Sequence, residues 1–198
     1  LLEDYLKDRG LTLAPDKTKI THIDEGFDFL GFNIKRYKGA DKSRVLIKAS
    51  KDNIKSFKKK AKDIVRNCYP NNIEKSIKRL NYLINGVGNY WRMGSNKRIF
   101  NDMDNYLYEI LLRQAKRWHH KKSVGWIVNK YFKISNHPIY KWKWTFTDPK
   151  SGIQVDRMSW IKIRYPKCAR HKSTPYDEEY EDYIINHRNR TPFECLYG

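Results

Sequence analysis

The sequence predicts a mainly α-helical protein with a small β part, made of an N-terminal β-hairpin, a three-helix bundle and a small α+β region rich in basic and aromatic residues. Two observations lead to this prediction. Between residues 50 and 118, apolar residues recur at three- and four-residue steps over three successive stretches, as in amphipathic helices. On either side of that region, short apolar runs alternate with polar residues and are separated by glycine or proline, as in strands joined by turns.

The first 49 residues predict a short helix followed by strands. Gly10 is a typical C-cap for a helix over residues 1–9, because glycine adopts positive φ readily. Residues 11–23 have a strand-like composition. We expect residues 27–37 to form a strand, with residues 44–48 as its antiparallel partner across a glycine-containing turn.

The first two helices of the bundle are predicted from apolar stripes and end signals. Ser50 or Asp52 is a suitable N-cap for the first helix, and Pro70 follows its end. Asn71 and Glu74 have the spacing of a capping box at the start of the second helix. The expected core stripes are Ile54, Phe57, Ala61, Ile64 and Cys68 in the first helix, and Ile73, Ile77, Leu80 and Ile84 in the second.

The third helix is predicted over residues 101–118. Asp102 and Asp104 are interpreted as carboxylates of its first turn, where negative charge favours the helix dipole. Its predicted stripe is Met103, Tyr106, Leu107, Ile110, Leu111 and Gln114. These three helices, joined by short connections, predict a small bundle.

A short helix and a hairpin are predicted after the bundle. Ser123 is a suitable N-cap for a helix over residues 124–132. From Ile139 onward, the alternation of Trp142, Trp144 and Phe146 predicts a strand. Residues 148–152 form a turn sequence, after which residues 153–155 pair back. An acidic helix is expected over residues 176–186.

The charge distribution predicts a nucleic-acid partner. Residues 1–172 carry 39 basic and 16 acidic residues, net +23, whereas residues 173–198 have a net charge of −4. From Ile110 to Phe146 there are nine Lys/Arg, eight aromatic residues and no Asp or Glu. Phosphates supply the missing counter-charge, and bases stack on aromatic rings. A membrane partner is not expected, since the sequence has no long apolar run, signal peptide or basic amphipathic terminal helix.

No catalytic or metal site is predicted within this chain. The three cysteines are far apart and form no CxxC pair, so reduced thiols and a cytoplasmic location are expected; organellar location applies if the source is eukaryotic, and association with the nucleoid is compatible. The close carboxylates, Asp102 with Asp104 and the acidic cluster 178–182, are interpreted as helix charges rather than a two-metal centre. His119 and His120 are interpreted as structural or phosphate-contacting residues. Trp91, Trp118, Trp126 and Trp144 are interpreted mainly as core residues.

An ordered series of segments resembles group II intron-encoded proteins. Residues 10–13 (Gly-Leu-Thr-Leu), 17–22 (Lys-Thr-Lys-Ile-Thr-His) and 26–32 (Gly-Phe-Asp-Phe-Leu-Gly-Phe) resemble the family's last reverse-transcriptase block. Residues 86–92 (Gly-Val-Gly-Asn-Tyr-Trp-Arg) and 117–123 (Arg-Trp-His-His-Lys-Lys-Ser) resemble a helix and a turn of its maturase-specific, or X, domain. Val87 and His120 replace the tryptophan and proline that are frequent in the family.

The resemblance implies four regions. Residues 1–49 correspond to the end of the reverse-transcriptase palm, and residues 50–120 to the thumb-like helical bundle of the X domain. Residues 121–170 are its basic-aromatic extension, and residues 171–198 are an acidic linker toward DNA-binding and endonuclease regions. The polymerase motif Tyr-x-Asp-Asp and the nuclease motif have no counterpart in this sequence. The primer-grip-like residues are Phe29, Leu30, Gly31 and Phe32.

The function implied by the resemblance is that of an RNA-binding maturase module, which binds group II intron RNA and promotes its folding and splicing. Two alternatives are the thumb of a reverse transcriptase whose palm lies elsewhere, and an inactive retroelement remnant. Further implied partners are a DNA target or RNA/DNA duplex and a separately encoded reverse-transcriptase part; Mg²⁺ is expected only with the ribozyme or the palm. The predicted RNA contacts are Lys55, Lys58, Lys59, Lys62, Arg66, Arg92, Lys97, Arg98, Arg113, Lys116, Arg117, His119, Lys121, Lys122 and Lys130.

Overall fold

The computed structural model describes residues 6–8, 10–15, 18–39, 43–139 and 144–164. The predicted fold class, mainly α with a small β part, is confirmed. The elements in chain order are β1 (Phe27–Phe29), β2 (Phe32–Tyr37), β3 (Arg44–Ala49), α1 (Lys51–Arg66), α2 (Ile73–Trp91), α3 (Lys97–Trp118), α4 (Val124–Tyr131), β4 (Phe132–Ile134), β5 (Trp144–Phe146) and a 3₁₀ helix (Met158–Trp160).

The three long helices share one hydrophobic core. α1 packs against both α2 and α3, and the 3₁₀ helix packs against α2 and α3. The predicted stripes face this core, which confirms the periodicity: in α1 Phe57 and Ala61 are buried, and Ile54 and Ile64 are partly buried. The largest fully buried side chains include Trp91 and Phe100.

Helix caps were predicted correctly at two of three positions. Ser50 Oγ accepts a hydrogen bond from Asn53 N at 3.3 Å, which caps α1, and Ser123 Oγ accepts from Trp126 N at 3.3 Å, which caps α4. The predicted capping box at Asn71 is wrong. Asn72 occupies the N-cap position of α2 without a capping hydrogen bond, because its amide oxygen accepts instead from Tyr69 N at 2.7 Å within the loop.

α3 begins four residues earlier than predicted, at Lys97, so its first turn contains no acidic residue. The interpretation of Asp102 and Asp104 as first-turn charges is therefore wrong. Asp102 is exposed, whereas Asp104 is buried and accepts hydrogen bonds from Met158 N at 2.7 Å and Ser159 N at 3.1 Å. Asp104 joins α3 to the 3₁₀ helix.

The predicted strand over residues 27–37 is wrong, because the chain turns at its centre. Leu30 and Gly31 have φ of 46° and 74°, and they connect β1 to β2 with Phe29 opposite Phe32. Positive φ at both residues is typical of a two-residue hairpin turn of type I′. The predicted pairing with the next strand is confirmed, since β2 pairs antiparallel with β3.

The strand-like segment predicted over residues 11–23 is not observed. In the described part of this segment, residues 11–15 and 18–23, no strand is present. The C-cap prediction at Gly10 agrees with the structure: its φ is 68°, and Leu11 N donates to Leu6 O at 2.9 Å. This is the hydrogen-bond pattern of a helix that ends in a left-handed residue.

The β1–β2 turn is attached to the helical bundle. Gly31 O accepts hydrogen bonds from Ser50 N at 3.0 Å and from Asn53 Nδ2 at 3.0 Å. Tyr90 of α2 donates its hydroxyl hydrogen to Leu30 O, and its ring lies 5.0 Å from the Phe32 ring. The hairpin is thus joined to α1 and α2 by contacts within this chain.

The attachment makes Gly31 sensitive to substitution. We expect Gly31→Ala to lower the free energy of unfolding by about 1–2 kcal/mol, the cost of a left-handed conformation for an L-residue. A Cβ here would also lie 2.0 Å from Asn53 Nδ2, so the hydrogen bond to Gly31 O would be displaced. Urea unfolding measures the change. Gly86→Ala is the control: it lies within α2 with open space around it, so it should stabilise the protein by about 0.5–1 kcal/mol.

The described C-terminal region contains the predicted hairpin across residues 148–152: Thr147 forms a bridge with Gln154, and Val155 N donates to Phe146 O at 2.8 Å. The antiparallel pairing of β4 with β5 was not predicted. Trp142, predicted to lie in a strand, and residues 176–186, predicted to form an acidic helix, lie outside the described residues. None of the helices in the described ranges combines the length and the apolar character needed to cross a bilayer.

Candidate nucleic-acid interface

The basic face of α1 follows from its helical repeat. Lys55, Lys59, Lys62 and Arg66 are exposed, and their three- and four-residue spacing places them along one side of the helix. Lys58 is half-buried, with Nζ 5.1 Å from the ring centroid of Tyr106 on α3. Two acidic residues of α1 lie beside this row. Lys55 Nζ lies 3.5 Å from Asp52 Oδ1 at the exposed N-terminal turn, and Asp63 is exposed one turn after Lys59. The structure therefore brings five predicted contacts together on α1.

Of the three predicted RNA contacts in the connection between α2 and α3, two already have hydrogen-bond partners within the protein. Arg92 is half-buried and donates from a guanidinium nitrogen to Asn89 Oδ1 at 3.2 Å. Lys97 Nζ donates to Ser159 O in the 3₁₀ helix, while Arg98 is exposed. Lys97 and Arg92 would have to exchange or share protein partners to contact a phosphate.

A second basic cluster lies at the corner between α3 and α4, which we call the α3–α4 corner. It contains exposed cations from the last turns of α3 and from the turn that connects α3 to α4. A hydrogen bond from Lys122 N to His119 O at 3.0 Å closes this turn. In the described part of the chain, no ion pair involves a lysine or arginine between residues 110 and 146. Its members are Arg113, Lys116, Arg117, Lys121 and Lys122, with Lys130 on α4.

His119 holds this corner together. Its Nε2 lies 2.7 Å from the Tyr131 hydroxyl, and the two rings stack with centroids 5.6 Å apart. Burial, and then the positive charges of Lys130 and Lys122, lower the pKa of His119. The hydrogen bond and the ring contact with Tyr131 agree with the structural role interpreted from the sequence.

The tryptophans fall into two groups. Trp91 is fully buried and Trp118 packs against the core, as interpreted from the sequence. Core positions for Trp126 and Trp144 are wrong, since their exposed fractions are 37% and 50%. Trp126 lies beside His119 with ring centroids 5.0 Å apart, and the Nζ of Lys130 and Lys122 lie 4.8 Å and 5.5 Å from its ring centroid.

Sequence reasoning missed an open groove of about 220 Å³ between α1 and α2. Lys60 and Ser56 line its α1 side, and Gly86 and Tyr90 line its α2 side. Tyr90 also contacts the β1–β2 turn, so the groove adjoins the primer-grip-like residues. Lys60 continues the lysine run of α1, and that run was the signal available in the sequence.

The primer-grip-like residues are arranged around that turn. Phe29 and Leu30 are exposed, with exposed fractions of 59% and 71%, whereas Gly31 and Phe32 are half-buried against α1 and α2. Within the described residues, no group of three or more His, Cys, Asp or Glu is placed to hold a metal ion. Cys68 is free and buried, and burial raises the pKa of its thiol.

Residues 54–132 match the model of the group II intron maturase-specific domain. Over these residues the chain is similar to that domain. Its matched segment runs from α1 to the first residue of β4. All of the predicted RNA contacts, from Lys55 to Lys130, lie within this segment.

Two curated relatives resemble the chain over a longer stretch. The "Ribosomal operon-associated A protein" of Euglena longa is 29% identical over 123 residues, which cover 62% of this chain and 22% of that protein. The protein of the same name from Euglena gracilis is 28% identical over 111 residues, which cover 56% of this chain and 21% of the relative. The chain thus spans about a fifth of the length of these relatives.

Proposed function

We propose that this chain binds group II intron RNA through its maturase-specific domain and promotes folding and splicing of the intron. The observation that carries the proposal is the coincidence of the matched segment with two exposed basic surfaces, the α1 face and the α3–α4 corner. Residues 110–146, which include the cations of the α3–α4 corner, contain no Asp or Glu. A polyanion supplies the counter-charge.

The two basic surfaces belong to one packed unit. α1 packs against α3, so the spacing between the α1 face and the α3–α4 corner is set by the shared core rather than by a linker. Folded RNA presents phosphates and 2′-hydroxyls in fixed positions, and its deep major groove is closed to side chains. Cations held at fixed spacing favour the RNA conformation whose phosphates match that spacing. Binding energy of this kind promotes folding of the RNA.

The chemistry of splicing in this proposal is that of the RNA. Mg²⁺ enters with the ribozyme, and this chain contributes no catalytic group or cofactor to the reaction. Its basic residues release counterions as they bind phosphates, which makes the affinity steeply dependent on salt.

A second candidate is the thumb of a reverse transcriptase, with an RNA/DNA duplex or a DNA target as partner. The attachment of the β1–β2 turn to Asn53 and Tyr90 favours it, since a primer-grip-like hairpin would then be positioned by the bundle. The coding sequence upstream of Leu1 tests this candidate. An in-frame Tyr-x-Asp-Asp motif supports it, as does a separately encoded protein that carries the motif and binds this chain. An inactive remnant, the third alternative, would lack a cooperative unfolding transition.

The affinity for group II intron RNA tests the proposal directly. We expect the chain to bind such an intron more tightly than a structured RNA of the same size, and to do so still at physiological salt. The affinity of both RNAs would be measured over a salt series, and splicing of the intron would then be assayed with and without protein. Equal affinities that disappear together as salt rises would contradict the proposal, because a polycation alone gives that result.

A further inference from the structure

Trp126 is the exposed ring of the α3–α4 corner, and its surroundings fix its position. Ser123 caps α4 through the Trp126 backbone N–H, and the neighbouring Ile127 is fully buried in the core. These contacts fix the rotation of α4 and leave Trp126 facing solvent. The His119 ring meets it at 73°, an edge-to-face contact, and His119 is itself held by the Tyr131 hydroxyl.

The charge around the Trp126 ring is positive. Lys130, one helical turn after Trp126, and Lys122, in the turn before α4, hold their Nζ atoms 4.8 Å and 5.5 Å from its ring centroid. Asp148 is the nearest acid in the sequence after this region, and it is buried in its own turn. Although burial opposes it, hydrogen bonds from Ser151 and the backbone lower the pKa of Asp148, so its charge is already satisfied there.

We propose that Trp126, with Lys122 and Lys130, forms a binding site for one unpaired nucleotide of an RNA, in which the base stacks on the indole and the lysines contact the flanking phosphates. The inference rests on the proposed RNA-binding function and assigns to it the recognition of single-stranded nucleotides. The α1 face, in contrast, offers cations without an exposed ring of this kind among them.

Relative magnitudes favour occupation of this site by a base. A cation–π contact at an exposed site strengthens an interaction by about two- to fivefold, whereas a base stacked on an aromatic ring strengthens binding by about five- to a hundredfold. A nucleotide supplies a base for the Trp126 ring and phosphates for the two lysines. Its base replaces the ammonium groups over the ring, and its phosphates bind the lysines that are released.

Trp126→Leu tests the site with a labelled, unstructured oligoribonucleotide as probe. We expect about a tenfold loss of affinity at every salt concentration, with an unchanged slope of log affinity against log salt, because no charge is removed. Trp126→Phe should retain most of the affinity, since it keeps an aromatic face. Lys122→Gln combined with Lys130→Gln should instead reduce the slope by about one unit for each lysine.

Two controls separate stacking from other effects. Trp144→Leu removes a ring that is more exposed than Trp126, 50% against 37%, and that has no lysine over it among the described residues; it should leave the affinity unchanged. A duplex RNA with the same number of phosphates offers no unpaired base, so Trp126→Leu should not weaken its binding. An unchanged affinity of Trp126→Leu for the oligoribonucleotide, or equal losses for the duplex and the single strand, would overturn the site. Neither outcome depends on whether the wild-type chain prefers intron RNA, so the two proposals fail separately.

Discussion

Asp104→Ala is expected to lower the free energy of unfolding by about 3–5 kcal/mol, the range observed when one partner of a buried ion pair is removed. The side chain of Asp104 is 1% exposed, and one of its oxygens lies 3.4 Å from Nε of Arg157. Its carboxylate also accepts the backbone N–H groups of Met158 and Ser159. The alanine variant leaves these two backbone donors without their acceptor, so α3 loses its hydrogen bonds from Asp104 to the 3₁₀ helix.

Chemical denaturation, followed by the helical circular dichroism signal, measures this change. Asp102→Ala is the matched control, because it removes the same group two residues earlier on the exposed side of α3. We expect the control to stay within about 0.5 kcal/mol of the wild type. Equal effects of the two substitutions would contradict the role assigned to Asp104.

The protonation of Asp104 adds a pH dependence. Burial raises the pKa of this carboxyl group, against the lowering effect of the hydrogen bonds and of Arg157. A folded-state pKa above the unfolded value means that the folded protein binds this proton more tightly. Protonation of Asp104 therefore adds to the free energy of unfolding at acid pH, and this contribution is lost as pH rises through the folded pKa. Asp104→Asn cannot take up the proton. Its destabilisation relative to wild type should therefore grow as the pH falls from neutral toward 4, the ordinary range of aspartate.

The elements that were predicted from sequence are those specified by local patterns. The three- and four-residue repeat of apolar side chains in α1 and α2 is enough to identify the buried stripe, and a serine before a helix is enough to identify its cap. The same repeat identifies the basic face of α1, since the residues that do not face the core must face solvent.

Contacts between distant residues were not predictable in this way. Asp104 meets Met158 54 positions later, and Asn96 accepts from Ala49 N 47 positions earlier while it is fully buried. Nothing in the neighbouring sequence distinguishes Asp104 from an acid at a helix start. The turn at Leu30–Gly31 was hidden for another reason: leucine rarely adopts positive φ, so the apolar run read as one strand.

The candidate site was predictable in composition but not in detail. The excess of lysine, arginine and aromatic residues between residues 110 and 146 is visible in the sequence. The exposure of Trp126 depends on the rotation of α4, which is fixed by the burial of Ile127 and Tyr131 in a core built from other helices, whereas Trp118 at the end of α3 packs against that core. Three-dimensional packing therefore decides that Trp126 is available to a ligand and Trp118 is not.

Reversal of three charges at the α3–α4 corner is expected to have the largest effect on RNA binding. The variant combines Arg117→Glu, Lys121→Glu and Lys122→Glu, all at exposed positions without ion-pair partners in the described structure. Each phosphate contact contributes about 0.7–0.9 to the slope of log affinity against log salt, so loss of three contacts should reduce that slope by about two units or more. The affinity for the intron RNA should fall by about a hundredfold or more at low salt.

A control with the same net charge distinguishes a specific surface from a general polycation. Lys75→Glu, Lys78→Glu and Arg79→Glu reverse three exposed cations on α2, within the segment that matches the maturase-specific domain but outside the predicted contacts. One of them, Lys78, already has a partner, since its Nζ is hydrogen-bonded to Glu74 at 2.6 Å. If RNA responds only to net charge, both triple variants lose the same affinity and the same slope. If the α3–α4 corner contacts phosphates, its variant loses far more, because short-range contacts persist at physiological salt while the field of distant charges is screened beyond about 8 Å.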